Sequence, residues 1–175
     1  MNYSPSTIAR IGDINRGLLV ETTETSYLNW GVTVQASLFT VYDRIMILGL
    51  WGEVGATTLA GAGALFGWTF ASTVPVVAAA ALSAVSTSID GFVTGRRISL
   101  AGTSVATAAS VNGTAGISVG PVTFMVVGHM RTAAGVQRVG QIGCLTTTAV
   151  LTAGTAKFSL LYVPIDDGAY VEALL

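Results

Sequence analysis

The chain has 175 residues, a formal net charge of −1 and a composition that is 51% hydrophobic but only 10% charged. This length suits one compact domain of the usual size, whereas an ordinary soluble domain carries roughly 25% charged residues. Much of the surface is therefore expected to be covered by lipid, by further copies of the chain or by a large assembly. The cations are scattered among the acids and form no basic stripe, which argues against nucleic-acid binding.

The N-terminal 35 residues are polar and mixed, with a cluster of Thr and Glu over residues 21–26. They contain no apolar run long enough for the core of a signal peptide, so nothing in them indicates secretion. Their pattern predicts an extended arm with at most one short strand, Leu18 to Glu21. We therefore divide the chain into an N-terminal arm, residues 1–35, and a β-rich globular domain, residues 36–175.

The composition changes at Ser37, and the residues from Leu38 to Val54 are rich in β-branched and aromatic side chains. It predicts two strands or one long bent strand. Positions 45–50 are apolar on both faces, which is typical of a strand buried between two layers.

The middle of the chain consists of short apolar runs separated by glycines at intervals of about ten residues. This spacing is typical of the strands and turns of sandwiches and barrels. Asn112-Gly113 is the strongest hairpin signal. Residues 76–84 fit either a short helix or a strand, because their alanines favour helix and their valines favour strand. The last third predicts four strands and a turn over residues 121–127, 137–145, 149–151, 157–163 and 164–168.

These patterns predict an all-β fold: a sandwich or barrel-like antiparallel domain with an extended N-terminal arm.

The segment between Glu53 and Asp90 carries no charge and is long enough to be tested as a membrane span. Glycines and threonines dilute it, Pro75 lies near its middle, and its flanks lack the cationic residues of a cytoplasmic loop. We therefore expect no membrane partner, and a small holin-type membrane protein is the less favoured alternative.

A possible nucleophile elbow, G-x-S-x-G, occurs at Gly116 to Gly120 with Ser118 at its centre. Pro121 and a β-branched run follow where the elbow requires a helix. The single histidine, His129, does not stand in the hydrolase order of serine, acid and histidine. The sequence therefore predicts no catalytic residue and no enzyme.

Cofactor and metal chemistry is equally unsupported by the motifs. Asp166 and Asp167 have no further carboxylate close in sequence and are read as a turn before Gly168. The single cysteine, Cys144, has no partner at metal-ligand spacing and is expected to be a buried apolar side chain. The only lysine, Lys157, lies in no phosphate-binding loop. We expect no cofactor-binding residue, no metal ligand and no cofactor.

Two stretches carry a family resemblance: RIMILGLWGEV at residues 44–54 and AKFSLLYVPIDDGAYV at residues 156–171. Both resemble segments of small proteins encoded beside the capsid genes of tailed bacteriophages. The resemblance implies a bacteriophage virion structural protein, a decoration or cement protein that binds and stabilises the capsid shell. It also implies a location at the capsid surface of the virion after assembly in the host cytoplasm, with the major capsid protein as partner.

The physical pattern adds that such a protein works as a homo-oligomer. A trimer is favoured, because an oligomer on a local threefold axis contacts several capsid subunits at once. The alternative within the virion is a head fibre, tail or adhesin protein.

Overall fold

The computed structural model describes residues 17–26, 36–74, 76–100, 110–111, 125–130, 132 and 135–174. These residues contain twelve strands and no helix, and the strands form two antiparallel sheets. The predicted all-β class is therefore confirmed, and the arrangement is that of a sandwich.

The larger sheet has seven strands: β1 (Leu18–Glu21), β2 (Thr25–Ser26), β4 (Ile45–Val54), β7 (Arg97–Ser99), β8 (Ser110–Val111), β9 (Met125–Val127) and β11 (Thr155–Pro164). Its order is β1-β11-β4-β7-β8, with β2 beside β11 and β9 beside β4. The smaller sheet has five: β3 (Ala36–Tyr42), β5 (Leu65–Val74), β6 (Val76–Ala81), β10 (Val139–Thr147) and β12 (Tyr170–Ala173). Its order is β12-β3-β10-β5-β6.

The chain passes from the smaller to the larger sheet between β3 and β4, at a corner formed by Asp43 and Arg44. Asp43 is fully buried and has a φ of 60°, so the backbone turns sharply there. Its amide donates to the carbonyl of Arg138 at 2.8 Å, and its Oδ1 accepts from the Arg138 amide at 2.9 Å. The Arg44 guanidinium pairs with Asp166 at 2.6 Å. The run that begins at Leu38 therefore forms two strands in different sheets rather than one bent strand.

The core between the sheets is built around three buried aromatic rings. Trp68 meets Phe66 edge to face at a centroid distance of 4.8 Å and Phe158 at 5.9 Å. Phe158 lies opposite Gly52 in the β11–β4 register, and a Cβ on Gly52 would lie 2.6 Å from its Cε1. The glycine therefore provides the space in which the central phenylalanine packs.

Several local predictions can be compared directly with the strands. The strand predicted from Leu18 to Glu21 is β1, which pairs with β11 as an edge of the larger sheet. Residues 76–81 form strand β6 rather than a helix, because β5 supplies an antiparallel partner. The strand predicted over 149–151 is wrong: the chain turns there, after Thr148 at a φ of 72°.

Two other predictions fall on residues outside the described part of the chain: the Asn112-Gly113 hairpin, and the arm over residues 1–16 and 27–35.

Candidate self-association surface

Strand β6 presents an apolar edge on the surface of the sandwich. All six of its residues are exposed, with Val76 at 88% and Val77 at 50% of their full accessible area. Valine and alanine occupy every position, so both faces of the strand are apolar. Within the described residues β6 pairs only with β5, which leaves the opposite edge of its backbone unpaired.

A groove of about 440 Å³ runs beside β6, where the two sheets open towards β9. Its lining is mostly apolar. It is formed by Phe70, Ser72, Val77, Ala78, Ala80, Leu82, Met125, Val126, Val127, Gly128 and His129. The floor includes the buried Leu82 and Val127, whereas Val77 and Val126 are at least half-exposed at its rim. The groove therefore extends the apolar edge of β6 onto the neighbouring sheet.

Proteins usually protect an edge strand from pairing by means of charged residues, proline or a bulge. Strand β6 contains neither a charge nor a proline within Val76–Ala81. Its only such feature is a shift of register opposite Ala71, between the pairs Phe70–Ala80 and Ser72–Val77. An exposed apolar patch with so little protection is typical of a surface that another molecule covers.

His129 lies two residues after the end of β9 and is half-buried in the groove wall. Its ring centroid is 6.4 Å from that of Phe70. Among the described residues, no other ionisable side chain lines this groove. This contact could not be predicted from the sequence, because Phe70 belongs to the other sheet and is far away along the chain.

Apart from His129, the residues that the sequence analysis weighed and rejected as sites are, where the structure describes them, not among the lining residues of this groove. Ser118 lies outside the described residues, so the elbow motif is not tested. Cys144 is fully buried in the core, where desolvation raises the pKa of its thiol well above the ordinary value. Asp166 accepts from the backbone amide and guanidinium of Arg44, and its carbonyl accepts from the amide of Ala169, which closes the turn before β12.

Lys157 forms an ion pair with Glu21 at 2.6 Å. In the described part of the chain, no group of three or more His, Cys, Asp or Glu side chains is arranged to hold a metal ion.

The charge-free segment between Glu53 and Asp90 folds largely as β5 and β6 with their connecting loops. Across the described residues, no helix has the length and apolar character needed to cross a membrane.

Comparisons with protein-family models, with curated proteins and with solved structures found no match to this chain.

Proposed function

We propose that this protein is a structural component of a tailed-bacteriophage virion, a non-enzymatic decoration or cement protein that binds the capsid shell as a homo-oligomer. The trimer expected from the sequence is part of this proposal. The partners are further copies of the chain and the major capsid protein, and the place of action is the capsid surface.

The observation that carries self-association is the uncharged β6 edge with its adjoining groove. An apolar surface of this kind gains free energy when it is removed from water, at about 25 cal/mol per Å². A stable contact typically buries about 800 Å² on each partner. An edge of six residues spans only about 20 Å, so the groove must contribute to reach that area.

The virion part of the proposal is supported by where the two resembling stretches lie in the fold. Residues 44–54 include β4 and residues 156–171 include β11, and these strands pair with each other from Ala156–Val54 to Pro164–Ile45. The two stretches thus form one structural unit at the centre of the larger sheet. A shell-binding role needs such a rigid platform together with many modest contacts, whose effects multiply in an oligomer.

Sedimentation analysis of two matched lysine variants tests self-association. Val77→Lys places a charge on β6 at a residue that is 50% exposed, and Leu19→Lys does the same on β1 at a residue that is 55% exposed. We expect the wild type and Leu19→Lys to sediment as the same oligomer. Val77→Lys should shift towards monomer by at least about tenfold in dissociation constant, because the charge would have to be desolvated.

If Leu19→Lys dissociates the oligomer while Val77→Lys does not, the contact lies on the larger sheet, and its assignment to the β6 surface is wrong. A wild type that stays monomeric at every concentration contradicts self-association itself.

The capsid part is tested separately by mixing the purified protein with shells that lack it and sedimenting the shells. Saturable co-sedimentation with a fixed ratio to the capsid protein is expected. Absence of binding to shells, combined with binding to isolated tails or fibres, would favour the other virion location.

A further inference from the structure

A second groove, of about 430 Å³, lies on the larger sheet, at β1, β11, β4 and β7. It differs from the first groove because seven of its eleven lining residues are polar or charged. The strand registers align Glu21, Ser159 and Trp51 across the sheet, and they align Lys157, Glu53 and Arg97 in the next row. Six side chains from four strands therefore meet at one place on a rigid surface.

Four of the five charged side chains in this groove form two ion pairs, and the fifth, Glu24, accepts from the Ala56 amide and the Thr155 hydroxyl. The Lys157 ammonium lies 2.6 Å from Glu21 Oε2, and the Arg97 guanidinium lies 2.7 Å from Glu53 Oε2. These four side chains are 31–46% exposed, so a ligand can reach them. The three carboxylates and two cations of the lining give the groove a net charge of −1, which disfavours an anion. The pairing of the other four charges favours a neutral polar ligand over a strongly cationic one.

The pairs keep hydrogen-bonding capacity that water or a ligand must satisfy. Both bonds from Arg97 end on Glu53 Oε2, so Glu53 Oε1 has no partner among the described residues. Ser159 donates to Glu21 Oε1 at 3.0 Å, and its hydroxyl oxygen can still accept. Acceptors and donors thus alternate over the width of the groove.

Trp51 supplies an apolar surface beside these polar groups. The Cε3–Cζ3 edge of its indole lies over Gly49, where an added Cβ would be 3.2 Å from Cζ3. The side chain is only partly buried and lines the groove. One edge of the ring covers Gly49, and the partly exposed side chain offers apolar surface to the groove.

We propose that this groove binds a neutral oligosaccharide. A hexose has an apolar C–H face, which would pack on the indole of Trp51, and a rim of hydroxyl groups that both donate and accept. These hydroxyls would bond to Glu53, Arg97 and Ser159. This activity goes beyond the proposed function, and it does not depend on self-association through β6, because the groove lies on the larger sheet and β6 lies on the smaller.

Isothermal titration of the full-length protein with cellohexaose, chitohexaose and maltohexaose tests the proposal. We expect at least one of the three to bind with a dissociation constant of about 0.1–1 mM, as suits a shallow exposed site. Trp51→Ala should weaken that binding by at least about tenfold, because stacking on the ring is lost. Trp51→Phe should retain part of it.

Tyr170→Ala is the matched control, since Tyr170 is 39% exposed and belongs to the other sheet. It should leave binding unchanged, and unfolding in urea checks that each variant is folded. The proposal is overturned if none of the three sugars binds at millimolar concentration, or if folded Trp51→Ala binds as tightly as the wild type.

Discussion

Gly128 is the residue on which the corner between the two sheets depends most closely. Its φ of 98° belongs to the region that L side chains rarely adopt. A Cβ at this position would also collide with the carbonyl oxygen of Asp43, the buried corner residue. The glycine therefore serves two purposes, a backbone conformation and a close approach of two chain segments.

Replacing Gly128 by alanine should destabilise the domain by at least about 3 kcal/mol. The matched control is Gly63→Ala, because Gly63 also has a positive φ, of 75°, but an added Cβ there meets nothing within 4 Å. The control should cost only the conformational strain, about 1–2 kcal/mol. Urea unfolding of the two variants measures the difference, and equal losses would show that the Asp43 contact is unimportant.

Strand β1 is an element attached by few interactions at the edge of the larger sheet. It pairs through four residues with β11, and Glu21 adds bonds to the side chains of Lys157 and Ser159. These two hydrogen bonds lower the pKa of Glu21 in the folded protein, and the bond from Lys157 has the larger effect. A carboxyl group with a lowered folded pKa stabilises the fold above its unfolded pKa and loses that contribution as pH falls through the folded pKa.

Acid should therefore loosen β1 selectively. We compare neutral pH with a pH well below 4.5, the ordinary pKa of a glutamate side chain. On this acidification, amide-exchange protection at Leu18–Glu21, corrected for intrinsic rates, should fall about two- to fivefold. The effect is modest because Glu21 and Lys157 are both about half-exposed. Glu21→Gln should show the lower protection already at neutral pH and little change on acidification. An unchanged wild-type protection factor would mean that the ion pair does not hold the strand.

Elements with strong periodic or β-branched patterns could be predicted from the sequence, whereas those set by tertiary partners could not. Strands β1, β4 and β11 lie where their residue types indicated them. The alanine run of residues 76–81 left helix and strand open, because its local propensity favours a helix and only the presence of β5 decides for a strand. Residues 149–151 are β-prone but have no partner strand within the described part of the chain, and they form a connection.

The candidate surface was beyond prediction for the same physical reason. The sequence shows that the segment between Glu53 and Asp90 carries no charge. Its length and hydropathy alone suggest a membrane span, because they do not report which strands will lie beside it. The groove arises when Phe70 and Val77 of one sheet come beside Val127 and His129 of the other. That contact depends on sheet order and register, which a single sequence does not specify.

At the scale of the whole molecule, residues 17–26 belong to the sandwich, and we propose that residues 1–16 anchor the protein to the capsid shell. Strands β1 and β2 pair with β11, and the amide of Phe158 donates to Thr22 Oγ1 at 3.0 Å. Removing residues 1–31 would therefore take β1 and β2 away and leave the β11 edge unpaired. Removing residues 1–16 leaves these pairings intact.

The two truncations separate anchoring from folding. The variant lacking residues 1–16 should unfold in urea as the wild type does and keep its oligomeric state, because none of the described pairings is lost. If the N-terminal segment is the anchor, this variant should bind shells much more weakly, since every subunit of the oligomer loses a contact at once and the multivalent gain disappears.

The variant lacking residues 1–31 should bind equally weakly but also unfold at lower urea, because the Phe158 amide loses its partner and β11 becomes an exposed edge. Co-sedimentation with shells that lack the protein supplies the measurement. Full stoichiometry for the shorter truncation would show that the anchor lies on the sandwich, since the only residues removed lie before β1.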